Sequence, residues 1–438
     1  SYTQQWSLSV QRALTPSFTA SLAYVGTKGT HLTSEQDLNQ LQPLSNGLNP
    51  FPHGQPLTAD ICEAGSSGTF PVGGTSEGNG STNSPGIGPN QPGYINMSIA
   101  CSGSPGFVSN GGAPLGVSAD QVRPYNGFSN ILSVANIANS NYNGLQATLR
   151  RSGHGLTFGM AYTYSHSFDE ASDRATANFA NSLDRKANYA SSDFDERNLL
   201  SIDYIYDLPL IRLLNRFGQF ASENPDSDAG SPSTSPEWSA GRLAKILLDH
   251  WQFSGIIGHQ SGTPFSIVNA GSASGVGTAD NAGVGDAIGL GSFPDRVGNP
   301  RGVKPNVAPS GQNIGPLLLN PAAFVAPRGL TFGNAGRNSV NNPARTNFNM
   351  SLIKKLPVFS EEDLEFRAEF FNIFNHTQFR IYDPTNPGDT GNNVVNCYGD
   401  VTTGYSAGAS NCLAGNSFLH PVNAHDPRIM QFGMKLSF

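Results

Sequence analysis

Aspartates, serines and nine histidines invite a catalytic reading of this 438-residue chain, and their spacing argues against one. His154, His166, His259 and His376 fall on different predicted elements, with no i, i+4 pairing and no carboxylate at metal-ligand spacing. Solvent-facing or internally satisfied rings are their expected use, and neither a metal nor an enzyme activity is expected. Gly283-Val284-Gly285-Asp286-Ala287-Ile288-Gly289 has the glycine content of a dinucleotide loop. The spacing is wrong, no strand precedes it and no helix follows, so it reads as loop and no cofactor is expected. Asp193, Asp195, Glu196 and Arg197 form a charged cluster at the end of a predicted strand. A calcium site and an ion-pair network compete there with a solvated loop base, and the solvated base is the preferred reading.

The four cysteines fall as two pairs, Cys62 with Cys101 and Cys397 with Cys412, each within one Gly/Ser/Asn-rich segment. None has the two-residue spacing of a zinc or redox site. Loop-closing disulfides in an oxidising compartment are therefore expected, with four free thiols as the competing reading. Closing loops of about forty and fifteen residues should contribute a few kcal/mol each to loop order. Non-reducing peptide mapping should recover those two linkages; cross-loop bridges or free thiols would refute the pairing.

The elements that carry these residues are legible from the chain's last stretch, Asp426 to Phe438. Met430, Phe432, Met434, Leu436 and Phe438 alternate with Gln431, Gly433, Lys435 and Ser437. That period is a strand with one face in an apolar medium and the other in water. The outer row suits lipid, and a terminal Phe on such a strand resembles the C-terminal signature of bacterial outer-membrane barrels. The same alternation recurs along the chain: Trp6, Leu8, Val10; Phe18, Ala20, Leu22, Tyr24; Leu145, Ala147, Leu149; Leu156, Phe158, Met160, Tyr162, Tyr164. It returns at Leu200, Ile202, Tyr204, Tyr206; at Trp251, Phe253, Ile257; at Phe348, Met350, Leu352; and at Leu364, Phe366, Ala368, Phe370. Leu132 and Val134 sit in the opposite parity to Leu145, which predicts a bulge near Asn139 to Asn141. Glu365, Arg367 and Glu369 occupy one face together; three charges in a row suit a water-filled lumen and not a dry core. Trp6, Tyr24, Tyr162, Tyr164, Tyr204, Tyr206 and Trp251 fall near strand ends, as interfacial girdle aromatics do.

Composition agrees with such strands. Charged residues are only 13%, while Gly (50) and Pro (30) are abundant, so the polarity resides in Ser, Thr, Asn and Gln. A net charge of −7 without a basic cluster excludes a nucleic-acid partner of the usual kind. No run approaches eighteen apolar residues, which excludes a transmembrane helix but not a barrel. Ser1 to Leu14 already reads as strand, so the N-terminus is expected to be a cut. Pro209 to Asp249 breaks the rhythm, with a short helix predicted over Gly241 to Leu248. Long loops are placed at about 29–128, 170–195, 262–345 and 377–425. They alternate with tight turns, the asymmetry of outer-membrane barrels with periplasmic turns and extracellular loops.

Several strings together resemble the barrel of Oar-like TonB-dependent outer-membrane transporters of the acidobacterial type. They are Tyr24-Val25-Gly26-Thr27-Lys28-Gly29-Thr30-His31-Leu32, Tyr142-Asn143-Gly144-Leu145-Gln146, Ser261-Gly262-Thr263-Pro264-Phe265, the run Phe366 to His376, and Asp426-Pro427-Arg428. The resemblance spans the chain. It implies an all-β, antiparallel transmembrane barrel of 22 strands occluded by a plug. The chain would be its C-terminal part, roughly nine strands, lacking plug and TonB-contacting motif. Implied partners are outer-membrane lipid, the barrel-assembly machinery, an unidentified extracellular ligand and, through the missing N-terminal part, the TonB complex. A surface binding or adhesion barrel without energised transport is the alternative, and a soluble secreted β-protein the third reading.

Overall fold

The computed structural model describes residues 1–40, 43, 124–125, 131–172, 178–211, 247–269, 293–302, 315–325, 327, 331–359, 362–383, 393–395, 418–421 and 423–437. Nine long strands dominate: β1 (Tyr2–Thr15), β2 (Phe18–Asp37), β3 (Leu132–Gly153), β4 (Leu156–Asp169) and β5 (Asn198–Leu208). β6 (Trp251–Gln260), β7 (Arg345–Phe359), β8 (Glu362–Phe371) and β9 (Ile429–Ser437) complete them. Each pairs antiparallel with its sequence neighbours, so the sheet is a simple meander, with Ala190–Ser191 added alongside β4. β1 and β9 are its two edges, and the sheet is open.

The register puts every predicted apolar row on one face. Residues directly opposite in an antiparallel pair share a face. Leu8 faces Tyr24, Tyr24 faces Leu145, and Leu145 faces Tyr164. Met160 faces Ile202, Ile202 faces Ile257, and Ile257 faces Phe348. Met350 faces Phe370, and Phe370 faces Met430. A one-residue slip at any pair would turn a whole row over, so nine consistent rows fix the register of the sheet. Leu156–Tyr164 is roughly the nine to eleven residues that a tilted bilayer crossing needs. The aromatics split into two levels, Trp6, Tyr24, Tyr162 and Tyr164 towards the loop end and Tyr204, Tyr206 and Trp251 towards the turn end. Lys354 interrupts the apolar row at the turn end. It donates to the Asp249 carbonyl and lies 5.4 Å from the Trp251 ring centroid.

The opposite face is polar. Glu365, Arg367 and Glu369 lie there, with Arg367 2.6 Å from Glu365 and 3.7 Å from Glu369. Lys355 and Lys435 flank Glu365 across the neighbouring strands, so the charges alternate in two directions.

Short connections follow from backbone chemistry. Gly153, His154 and Gly155 all have positive φ, which glycine adopts freely and closes the β3–β4 hairpin tightly. The predicted irregularity in β3 is present, with register shifts where Gly29 to Thr33 oppose Ser140 to Asn136 and with His31 at φ 55. β2 continues to Asp37, beyond the predicted start of its loop at residue 29, because β3 pairs with it past the bulge. Of the helix predicted over Gly241 to Leu248, only Leu247 and Leu248 lie among the described residues, and they are helical.

Among the described residues the main buried apolar cluster lies in the loops. Phe265, Ile267, Phe324, Val340, Ile381 and Leu419 come from the β6–β7 and β8–β9 connections and pack together. Two-residue ladders tie them: Pro264–Phe265 with Val340–Asn341, Phe379–Arg380 with Asn423–Ala424, and Val268–Asn269 with Val394–Val395. These loops therefore form a folded cap at one end of the sheet.

Both edges have consequences for the chain by itself. Unpaired backbone groups cost several kcal/mol each in hydrocarbon, and an edge strand such as β1 or β9 carries a row of them. Expressed alone, the chain should aggregate or be degraded. A monodisperse, detergent-free monomer with cooperative unfolding would contradict this.

Candidate functional site

Where the cap meets the polar face of the sheet there is a cleft of roughly 200 Å³. Gln260 ends β6 and Arg345 begins β7; they are register partners and lie on the polar face. Arg345 Nη2 donates to Gln260 Oε1 at 2.6 Å, and Gln260 Nε2 donates to Glu196 Oε1 at 2.8 Å. His425 Nδ1 lies 3.5 Å from Arg345 Nη1, and Arg380 pairs with Asp383 at 3.1 Å. Tyr382 and Phe265 stand against each other, centroids 5.6 Å apart, on the apolar side of the cleft. The lining thus combines guanidiniums, carboxylates, amides and aromatic surface. Such a mixture can orient a polar solute by hydrogen bonds.

Burial pushes the His425 ring below its ordinary value, and the nearby Arg345 and Arg380 guanidiniums add to this, against weaker opposition from Asp426 and Asp383. Burial, with Asp193 and Asp383 nearby, pushes the Tyr382 hydroxyl up. His425 is thus neutral in the folded cap at pH 7. Its lowered value contributes stability that is fully present above about pH 6.5 and is lost as the pH falls through the folded value. Amide exchange around Asn423 to Asp426, corrected for intrinsic chemistry, should accelerate below pH 6.5. The substitution His425→Gln should remove that dependence; an unchanged profile would refute the assignment.

Local sequence explains how the cleft is held. A Cβ at Gly262 would collide with the Asn342 carbonyl, so only glycine lets these two segments close on each other. Asn342 Oδ1 accepts from the Ile381 and Tyr382 amides at 3.0 Å each, and its Nδ2 donates to the Tyr382 carbonyl at 2.8 Å. Asn372, at φ 48, turns the chain out of β8. Its Oδ1 accepts from the His376 amide at 3.1 Å and its Nδ2 donates to the Asp426 carbonyl at 3.4 Å. Asn375 Oδ1 accepts from the Arg428 amide at 3.1 Å. The Phe366 to His376 and Asp426 to Arg428 strings are thus two halves of one rim joint.

Behind the cleft lies Arg337, 4% exposed, which no sequence signal had marked. It pairs with Asp169 and lies 3.6 Å from Asp193, while its Nε donates to the Asn188 carbonyl at 2.9 Å. Next to it, Asn338 Nδ2 donates to the Ser191 carbonyl and to Asp193 at 2.7 and 2.8 Å. The expectation of a solvated cluster at Asp193 to Arg197 is corrected here. Asp193 and Asp195 are buried, the first beside Arg337 and the second 2.7 Å from His166. The solvated reading holds only for Arg197, which is exposed, because the cap and the β4–β5 loop fold over the carboxylates.

Met430, Phe432, Met434 and Leu436 form the apolar row of β9, while Phe438 lies outside the described residues. Cys62, Cys101, Cys397 and Cys412 lie outside them too, as does the run Gly283 to Gly289. His259 Nδ1 lies 2.7 Å from the Thr346 hydroxyl, and His154 sits in the hairpin turn. Among the described residues no three His, Cys, Asp or Glu side chains are grouped to hold a metal.

No curated protein matches the chain. Among solved structures, the outer membrane transporter YddB from Escherichia coli aligns at 5% identity with a TM-score of 0.32. The alignment covers 86% of this chain and 29% of that one, so the chain spans less than a third of that transporter's length. A family model for the outer membrane beta barrel domain matches residues 1–223 and 232–430. With that match over nearly the whole chain, and with nine strands sorted into an apolar and a polar face, the chain belongs to the outer membrane β-barrel domain family and its place is the bacterial outer membrane.

Proposed function

We propose that the chain forms part of the wall and the extracellular cap of an Oar-like TonB-dependent receptor that takes up an unidentified ligand. The observation that carries this reading is the open sheet with both edge strands unpaired and in regular register. A wall of that kind belongs to a barrel with more strands, and large plugged barrels are the transporter architecture. The cap supports it as well. It folds over the polar, lumen-side face and leaves a cleft with several convergent polar groups, as a ligand-capturing entrance requires. The charged ladder of Glu365, Arg367 and Glu369 gives the lumen a surface that a polar occluding domain would wet.

The second reading, a surface binding or adhesion barrel without energised transport, uses the same cap. Coupling to TonB separates the two. Full-length protein, folded as judged by heat-modifiable mobility in gels, should retain the periplasmic C-terminal domain of its own cell's TonB on a column. Folded barrel that retains none would leave adhesion as the function.

A further inference from the structure

Donors and acceptors in the cleft under the cap are unequally matched. Each carboxylate that lines it already has a donor beside it. Asp383 holds Arg380 at 3.1 Å, Glu196 accepts from Gln260 at 2.8 Å, and Asp193 accepts from Asn338 at 2.8 Å with Arg337 behind it. Arg345 differs. Its Nη2 donates to a neutral amide oxygen, Gln260 Oε1, and its Nη1 stands 3.5 Å from His425 Nδ1. Neither of these neighbours is an anion, although a guanidinium presents a planar fork of N–H donors. The Ser261 hydroxyl accepts from the Asn198 amide and side chain at 3.1 Å each, and the Thr263 hydroxyl accepts from Asn342 Nδ2 at 3.2 Å. Both hydroxyls line the cleft and keep their own proton to donate.

His425 adds a donor that depends on what is bound. Burial and the Arg345 and Arg380 guanidiniums hold the ring neutral, against the Asp426 and Asp383 carboxylates. A carboxylate placed on Arg345 would join the second set and favour the imidazolium, which donates from both nitrogens. On the apolar side, Tyr382 is seated against the buried Phe265 and gives the cleft an aromatic wall. At roughly 200 Å³ the cleft is smaller than the ~300–1,000 Å³ usual for drug-sized ligands, so it takes a single ring.

We propose that the cleft captures the uronate end of an acidic sugar, with the carboxylate on Arg345 and His425, the ring against Tyr382 and the hydroxyls on Asp383 and Glu196. A carboxylate has about four lone-pair sites, so both acidic side chains can accept from ligand hydroxyls while keeping their present partners. A neutral sugar would leave the donors of Arg345 unused, and an anion without a ring would gain nothing from Tyr382. Capture takes up a proton at His425, so affinity rises as the pH falls. The inference rests on the reading of the cap as a ligand-capturing entrance and is independent of coupling to TonB.

Calorimetric titration of the full-length protein in detergent micelles with trigalacturonate and with its methyl ester tests this. The acid should bind about tenfold or more tighter than the ester, which has the same rings without the charge. Arg345→Gln should erase that preference, whereas Arg150→Gln, on the polar face at the turn end, should keep it. From about pH 7.5 to about pH 5.5 the affinity for the acid should rise roughly threefold or more in the unaltered protein and stay level in His425→Gln. Equal binding of acid and ester, no binding of the acid, or equal affinity for triglutamate would overturn the assignment. Those comparisons use the unaltered protein, so they decide even where a variant misfolds. Protein that prefers the acid but retains no TonB would lose only the transport reading.

Discussion

Replacing Arg337 by methionine should destabilise the cap by about 3–5 kcal/mol, the usual cost of removing one partner from a buried ion pair. The side chain is 1% exposed, and Asp169 and Asp193 beside it are 7% and 6% exposed, so solvent cannot take over its role. Its fork also reaches the Asn188 carbonyl and, at 3.4 Å, the Ser172 hydroxyl, tying the β6–β7 loop to β4 and the β4–β5 loop. Lysine should rescue little, because a single ammonium cannot meet acceptors spread over that arc. The cost comes mainly from carboxylates left buried without a countercharge, so adding Asp169→Asn and Asp193→Asn to Arg337→Met should recover part of it. Amide exchange in the cap reads both effects. Protection unchanged in the single variant would show that the cap does not depend on this clamp.

The strands were legible because their signal is local. Alternation along Leu156 to Tyr164 or Met430 to Leu436 is written in consecutive residues, and the register then had one solution that kept every apolar row on one face. The bulge near Asn139 was legible for the same reason, since a change of parity between Val134 and Leu145 requires it. The cap was not. Its core joins Phe265 to Val340 and Ile267 to Leu419 across segments rich in Gly, Asn and Pro, with no periodicity to announce them. Arg337 has nothing nearby in sequence to pair with; Asp169 and Asp193 lie far back in the chain and meet it only once three loops converge. The Asp193 to Arg197 cluster misled for a related reason. Adjacent charges look solvated in sequence, while the fold turns Asp193 inward to Arg337 and Asp195 inward to His166, with the exposed Arg197 guanidinium 3.9 Å from Asp195. Asn372 and Asn375 could be picked out only as part of a resembling string. Their positive φ and their bonds to Asp426 and Arg428 give that string its physical content.

On β9, arginine at Phe432 or Met434 in the intact barrel should cost about 2–4 kcal/mol, whereas arginine at Gln431 should be nearly neutral. All three positions are exposed along the edge strand, Phe432 at 76% and Met434 at 69%, so exposure alone does not predict the difference. The register does. Phe432 faces Ala368 and Met434 faces Phe366, on the face that continues through Met350, Ile257 and Ile202 to the girdle tyrosines. Gln431 faces Glu369 on the polar face, where an added guanidinium would find a carboxylate one strand away and water around it. An arginine on the apolar face must carry its charge into hydrocarbon or bend towards the interface, and the midplane leaves it the longest way to go. A membrane-refolding titration of the full-length barrel reads the difference directly. Equal penalties at Gln431 and Phe432 would mean that the two faces meet the same medium, and the lipid-facing assignment of all nine rows would fall with that result.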